Sequence, residues 1–155
     1  MTPACVALDT AGVSYALHPY EHDPDAASYG LEAANALGVE VDLVFKTLIA
    51  ELDTGELVVA IIPVAEMLNL KAIAAEFATK KAVLANVSNA ERSSGYVAGG
   101  ISPFGQRIQR QTAVDESVLI CERMFVSGGR RGLDIELDPV DLLTLLDARV
   151  TNLTR

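Results

Sequence analysis

The chain has 155 residues, of which 50% are hydrophobic and 21% charged, and its formal net charge is −9. This length suits one domain with a sizeable core, and the composition excludes a disordered or low-complexity protein. No segment approaches the roughly 20 apolar residues of a membrane-spanning helix. The N-terminus also lacks the basic start and apolar run of a signal peptide. We therefore expect a single domain over residues 1–155, a cytoplasmic location and no membrane partner.

Charge is distributed unevenly along the sequence. Residues 1–66 contain eleven acidic residues and a single base, Lys46, whereas residues 67–131 contain nine bases and five acidic residues. A basic rim of this kind positions phosphates even on an acidic protein, although solvated surface charge would give the same count. The overall charge argues against nonspecific binding of nucleic acid by the whole surface, and we expect no DNA partner.

The predicted elements follow an irregular order of helices and short strands. Cap residues and glycines mark the helix ends, Gly55 lies in a hairpin loop, and Pro19 indicates a strand at a sheet edge. In chain order the predictions are a helix over 4–11, a strand over 13–20, a helix over 28–38, strands over 43–51 and 57–63, a helix over 69–77, a strand over 82–85, a helical turn over 88–94, strands over 112–114, 123–127 and 133–137, and a helix over 138–147. This order predicts an α+β fold with a curved, mixed sheet or small barrel and helices outside it.

Two glycine-rich segments are the strongest indication of a site. Six of the 11 glycines fall within residues 99–106 and 126–134. Clustered glycines let the backbone approach a ligand closely and direct N–H groups at an anion. Ser127 and Asp134 add short polar side chains beside that backbone. Neither segment has dinucleotide or P-loop spacing, so the pattern predicts a surface that binds a developing oxyanion or a phosphate without a metal.

The remaining candidate residues narrow the chemistry. His18 and His22 are the only histidines, and four extended residues span roughly 13 Å, too far for one shared metal. Cys5 and Cys121 lack the spacing of a disulfide or a metal site. We therefore expect no metal and no cofactor. Lys46 lies inside the apolar run 44–49, where a lysine either extends to solvent at an edge or points into a polar cavity.

Five segments together resemble the YbaK/EbsC family of aminoacyl-tRNA deacylases, and specifically the YbaK-type enzymes that clear Cys-tRNA(Pro). They are Tyr20-Glu21-His22-Asp23-Pro24, Phe45-Lys46-Thr47-Leu48, Thr79-Lys80-Lys81-Ala82, residues 92–103 and residues 126–137. The resemblance extends over nearly the whole chain. It implies the fold of the prolyl-tRNA synthetase editing domain, a barrel-like mixed sheet of six to seven strands surrounded by helices.

The resemblance also implies a set of site residues. The catalytic set is Lys46, Gly99, Gly100, Asp134 and Tyr20, with the backbone N–H groups of the two glycines facing the ester carbonyl. The substrate-binding set is Tyr29, Thr47, Ile101, Ser102, Pro103 and Ser127, and Tyr29 stands where a family enzyme carries Phe. No side chain resembles an activated nucleophile, and a cysteine substrate supplies its own thiol.

The implied function is trans-editing, the removal of cysteine from mischarged Cys-tRNA(Pro) and from Cys-tRNA(Cys). In the implied reaction the substrate thiol attacks its own ester and leaves as a cyclic thiolactone, although hydrolysis by a positioned water is also possible. The expected partners are the acceptor end of the aminoacyl-tRNA and prolyl-tRNA synthetase. Two alternatives remain: a water-dependent deacylase of another small aminoacyl-tRNA such as Ala-tRNA(Pro), and a non-catalytic aminoacyl-tRNA binding module.

Overall fold

The computed structural model describes residues 1–155 and contains five α-helices, eight strands and two short 3-10 helices. The helices are α1 (Pro3–Ala11), α2 (Tyr29–Leu37), α3 (Leu70–Glu76), α4 (Val87–Ser94) and α5 (Pro139–Leu146), and the 3-10 helices are Val41–Leu43 and Glu116–Ile120. The strands are β1 (Tyr15–Pro19), β2 (Phe45–Leu52), β3 (Leu57–Pro63), β4 (Ala82–Leu84), β5 (Thr112–Asp115), β6 (Met124–Arg130), β7 (Leu133–Leu137) and β8 (Arg149–Thr151).

Local capping interactions set the helix ends as the sequence predicts. The Thr2 side chain accepts a hydrogen bond from the Cys5 N–H at the start of α1, and Ser28 does the same for α2. Gly12 and Gly38 end these helices in the left-handed conformation, which favours glycine. No helix combines the length and apolar character that a membrane span requires.

The strands form two sheets rather than one. An antiparallel sheet has the order β1-β7-β6, and a mixed sheet has the order β4-β2-β3-β5-β8, in which β3, β5 and β8 run parallel. One parallel bridge, between Val44 and Phe125, joins them. The expected α+β class and mixed sheet are confirmed. The barrel-like sheet of six to seven strands is corrected to eight strands in two sheets, because a single bridge does not close a barrel.

Two details of the strands differ from the sequence prediction. Strand β6 continues past Ser127 to Arg130 through an irregularity in its register with β7, so part of the second glycine segment lies inside a strand. The prediction ended this strand at Ser127 because glycines usually interrupt strands. The C-terminal strand β8 was not predicted, since only its parallel pairing with β5 stabilises it.

The hydrophobic core lies between the two sheets. The largest cluster has 17 buried residues and includes Phe45 and Ile49 of β2 together with Val126 of β6 and Ile135 of β7. The opposite face of β2 packs on a second cluster with Ile73 of α3. Because side chains alternate along a strand, β2 contributes to both clusters and is held rigidly where it borders the site.

Candidate active site

A cavity of about 400 Å³ opens beside β2, and 15 of its 23 lining residues are hydrophobic. Its size and mainly apolar walls are typical of a small-ligand site with a few oriented polar groups. The structure brings together in this cavity eight of the eleven residues predicted for the site: Tyr20, Tyr29, Lys46, Thr47, Gly99, Ile101, Ser127 and Asp134. Gly100, Ser102 and Pro103 are buried but do not line it.

Lys46 lies on β2 opposite Ile62 of β3 and lines the cavity. Its ammonium group forms no salt bridge, since the three ion pairs of the chain involve His18, His22 and Arg123. Burial lowers the pKa of Lys46 below its ordinary value, and the charge of Glu66 opposes this shift. The apolar run allows a lysine either to reach solvent at a sheet edge or to point into a polar cavity. Lys46 lines the cavity, where its charge is available to an anion.

Thr47 presents an unpaired strand edge to the cavity. The bonds Val64 N to Val44 O and Leu52 N to Glu56 O, both 2.9 Å, show that the even-numbered residues of β2 bond to β3. The peptide groups of Thr47 therefore point to the opposite edge, which β4 and its flanking residues cover only from Ile49 to Asp53. The Thr47 hydroxyl is also buried without a hydrogen-bond partner. Such a group is costly to bury, so the Thr47 hydroxyl is a destabilising feature at the cavity wall.

Asp134 and Tyr20 form the polar end of the cavity. Asp134 lies on β7 between His18 of β1 and Ser127 of β6, and its side chain is 5% exposed. Desolvation raises the pKa of Asp134 to about 7. Burial, and then the charge of Asp134, raise the pKa of Tyr20 to about 12. At neutral pH the Tyr20 hydroxyl therefore keeps its proton and donates a hydrogen bond. The Asp134 carboxyl group is partly protonated and partly ionised at the same pH.

The first glycine segment forms a turn at the mouth of the cavity. The Gly100 N–H donates to the Val97 carbonyl at 2.9 Å, and the Ala98 N–H donates to the Glu91 carboxylate at 2.8 Å. Gly99 has a φ of +85° and its N–H has no acceptor within the chain. Only Gly99 of the two glycines therefore combines a place on the cavity wall with a free N–H.

Gly100 has a packing role. Its N–H is already bonded across the turn, and an added Cβ would lie 2.8 Å from the Arg130 Cα. Ser102 and Pro103 support the turn from behind: the Ser102 hydroxyl accepts from the Phe104 N–H, and Phe104 is part of the main core. These three residues are buried behind the cavity wall, and their place in substrate binding stays a prediction.

Arg131 and His22 pack on Tyr29, which lines the cavity, although neither of them lines it itself. The Arg131 guanidinium carbon lies 4.9 Å from the centre of the Tyr29 ring, and the His22 ring lies 5.8 Å from it on centroids. His22 is bonded through Nδ1 to Glu32 at 2.9 Å. The sequence placed Arg131 among the clustered bases and in the second glycine-rich segment, but it could not predict the contact with Tyr29, which joins residues about a hundred positions apart.

Five further bases are exposed and form no salt bridge. They are Lys80, Lys81, Arg92, Arg107 and Arg130. No group of three or more metal-ligating side chains is present. The site thus combines a free ammonium, a free backbone N–H, a carboxyl group with a pKa near neutrality and a basic surface, which suits an anionic substrate with a reacting carbonyl.

The chain belongs to the aminoacyl-tRNA editing domain family, whose model matches residues 23–145. It is 35% identical over 121 residues to EbsC of Enterococcus faecalis, named as a candidate Cys-tRNA(Pro)/Cys-tRNA(Cys) deacylase, with 78% of this chain and 74% of that protein covered. The predicted family resemblance is therefore confirmed.

Two solved structures share the fold. One is a hypothetical protein, 25% identical, with a TM-score of 0.87 over 99% of both chains. The other is a candidate trans-editing enzyme for prolyl-tRNA synthetase, 22% identical, with a TM-score of 0.84 over 99% of this chain and 95% of that one. At these identities the structural likeness supports the fold, while membership of the family rests on the sequence matches.

Proposed function

We propose that the chain is a trans-editing deacylase that removes cysteine from Cys-tRNA(Pro) and Cys-tRNA(Cys). The observation that carries this proposal is a cavity with anion-binding groups but no cysteine: Lys46, the free Gly99 N–H and Asp134 line it, whereas Cys5 and Cys121 do not. A substrate that supplies its own nucleophile fits such a site. The family and the name of its Enterococcus relative agree with this reaction.

The proposed reaction is an internal displacement. The thiolate of the esterified cysteine attacks its own carbonyl carbon, the bond from that carbon to the ribose oxygen breaks, and the products are a cyclic thiolactone and uncharged tRNA. The thiol proton ends on the ribose oxygen. Holding the two groups in contact is worth roughly 7–11 kcal/mol in favourable cases, and each donor to the developing oxyanion about 3–4 kcal/mol.

Each polar group of the cavity has one role in this proposal. Lys46 holds the 3′-terminal ribose or its phosphate, and the Gly99 N–H donates to the ester oxygen as negative charge develops on it. Asp134 relays the proton, since its pKa of about 7 lies near the ordinary thiol value of about 8.5. Tyr20 donates its hydroxyl proton as a hydrogen bond, and Tyr29, Thr47, Ile101 and Ser127 shape the wall around the aminoacyl group.

Selection of the tRNA is proposed to come from prolyl-tRNA synthetase. The exposed bases around the cavity would meet phosphates, which carry no base identity. A domain of 155 residues leaves little surface to read an acceptor stem. We therefore assign recognition of the mischarged tRNA to a complex with the synthetase that has just released it.

A deacylation panel with Cys-, Ala- and Ser-tRNA(Pro) tests the proposal. The expected result is rapid loss of cysteine with formation of the thiolactone, and slow loss of alanine and serine, because neither side chain contains a thiol. Loss of alanine as fast as cysteine would instead establish hydrolysis by water. Binding of all three substrates without any deacylation would establish a non-catalytic module.

A further inference from the structure

Two consecutive arginines lie where β6 meets β7, and only the side chain of Arg131 forms a hydrogen bond to the glycine turn. Arg131 Nε donates to the Ala98 carbonyl at 2.8 Å, while its guanidinium stacks on the Tyr29 ring at 4.9 Å. Arg130 is exposed and forms no salt bridge. The two residues carry the same charge at nearly the same place. Arg131 therefore differs from Arg130 in its hydrogen bond to the Ala98 carbonyl and not in its charge.

The turn that Arg131 contacts has a defined type. Residues 97–100 are closed by the bond from the Gly100 N–H to the Val97 carbonyl, and Gly99 has a positive φ of +85° while Ala98 does not. A positive φ at the third residue alone defines a type II turn. Types I and II differ by a rotation of the central peptide of roughly 180°. That peptide is the one between Ala98 and Gly99.

Holding one side of this peptide fixes the direction of the other side. The Ala98 carbonyl and the Gly99 N–H belong to a single planar trans unit, in which they point in opposite directions. In the observed orientation the carbonyl is bonded to Arg131 and the Gly99 N–H is free on the cavity wall. The other orientation would turn the carbonyl oxygen, with its negative partial charge, toward the cavity.

We propose that Arg131 is a positioning residue that holds the Ala98–Gly99 peptide in its type II orientation and thereby presents the Gly99 N–H to the substrate oxygen. This role rests on the proposed deacylase function. A charged donor on the carbonyl also polarises the peptide and strengthens its N–H as a donor. The stacking on Tyr29 keeps the guanidinium in place. Space for this arrangement exists because Gly99 has no Cβ, and an added Cβ would lie 2.8 Å from the Tyr29 ring and 2.9 Å from Arg131 Nε.

The competing role for Arg131 is phosphate binding, and the variants separate the two. Arg131→Lys keeps the charge but loses the planar Nε donor, Arg131→Ala loses both, and Arg130→Ala removes an equal charge without removing a hydrogen bond to the turn. Deacylation of Cys-tRNA(Pro) is measured over a range of substrate concentrations. We expect both Arg131 variants to lower kcat by roughly 10–100-fold, a fraction of the 10²–10³ that loss of an oxyanion donor costs. Arg130→Ala should raise KM only. Wild-type kcat in Arg131→Lys, or an effect of Arg131→Ala on KM alone, would overturn the proposal.

A spectroscopic measurement on the free protein keeps this test independent of the deacylase function. The sequence contains two Ala-Gly pairs, Ala11-Gly12 and Ala98-Gly99. Protein labelled with carbonyl-¹³C alanine and ¹⁵N glycine therefore gives two peaks in a carbonyl–amide correlation spectrum. Both Arg131 variants should move the Ala98-Gly99 peak and leave the Ala11-Gly12 peak, which also reports that the protein is folded. Arg130→Ala should move neither.

The two measurements fail in different ways. If the wild-type protein is inactive but the Ala98-Gly99 peak moves in the Arg131 variants, the deacylase proposal is refuted. The control of the peptide by Arg131 is then retained. An active enzyme whose peak stays in place in Arg131→Ala would refute the positioning role and retain the deacylase.

Discussion

The Asp134 carboxyl and the Tyr20 hydroxyl line the same cavity, and the charge of Asp134 contributes to the raised pKa of Tyr20. Strand β7 and the residue that follows β1 bring them together, with the Tyr20 N–H bonded to the Gly132 carbonyl at 2.9 Å. At neutral pH the pair thus consists of a Tyr20 hydroxyl that keeps its proton and an Asp134 carboxyl group that is partly protonated.

Asp134 should make the stability of the protein depend on pH. Its pKa is about 7 in the folded chain against an ordinary 3.8, so the folded state binds more protons than the unfolded state between these values. The free energy of unfolding therefore falls as pH rises from about 4 to 7, by up to about 4 kcal/mol. Asp134→Asn should lack this fall and be more stable than the wild type at pH 8.

Urea unfolding at pH 5 and pH 8 measures this difference. Asp25→Asn, which changes an exposed carboxyl group, is the matched control and should follow the wild type. If the free energy of unfolding depends equally on pH in the wild type and in Asp134→Asn, the pKa of Asp134 is not raised in the folded protein.

Lys46→Met should abolish most of the activity without unfolding the protein. The methionine keeps the apolar part of the side chain and removes an ammonium that has no salt-bridge partner. We expect kcat/KM for Cys-tRNA(Pro) to fall by roughly 100-fold or more, in the range found for loss of one donor to the transition state, while the melting temperature is unchanged or higher. Wild-type turnover in this variant would remove Lys46 from the mechanism.

Gly99→Ala should lower the rate of deacylation more than tRNA affinity. An added Cβ would lie 2.8 Å from the Tyr29 ring, and the residue has a positive φ of +85°. Gly55→Ala is the matched control, since Gly55 also has a positive φ, +89°, but nothing lies within 4 Å of its Cβ position. Both variants bear a strain of about 1–2 kcal/mol, and only Gly99→Ala should lose kcat. A loss of affinity alone would contradict the oxyanion role of its N–H.

Thr47→Val should stabilise the protein and weaken its activity. The Thr47 hydroxyl is buried without a partner, and replacing it with a methyl group of similar size removes an unsatisfied group that costs about 1–3 kcal/mol. Thr112→Val is the control with the opposite sign, because the buried Thr112 hydroxyl donates to the Arg110 carbonyl at 3.2 Å. Thermal unfolding and Cys-tRNA(Pro) deacylation are measured on both. Destabilisation by Thr47→Val would mean that its hydroxyl is satisfied in the free protein.

The isolated protein should discriminate poorly between tRNAs. We expect weak, strongly salt-dependent binding and nearly equal deacylation of Cys-tRNA(Cys) and Cys-tRNA(Pro). Addition of prolyl-tRNA synthetase should favour Cys-tRNA(Pro). Rates with both substrates, with and without the synthetase, provide the measurement, and strong discrimination by the protein alone would refute the proposed division of labour.

The sequence by itself determined the local structure and the membership of the family. Caps and glycines act on neighbouring residues, so Thr2, Ser28, Gly12 and Gly38 mark helix ends that the structure confirms. Two apolar runs joined by a hairpin loop with Gly55 likewise predicted β2 and β3 nearly to their ends. The motif segments predicted the family, since those residue types recur at those spacings whatever their contacts.

Only the tertiary structure decided which predicted groups are free to act. Gly99 and Gly100 are alike in sequence, yet the turn bonds one N–H and leaves the other free. Strand β8 forms because β5 lies beside it. Arg131 holds the Ala98 carbonyl across 33 residues of chain, and burial sets the pKa of Asp134. Hydrogen-bond partners, burial and charge contacts depend on residues distant in sequence, and folding alone brings those residues together.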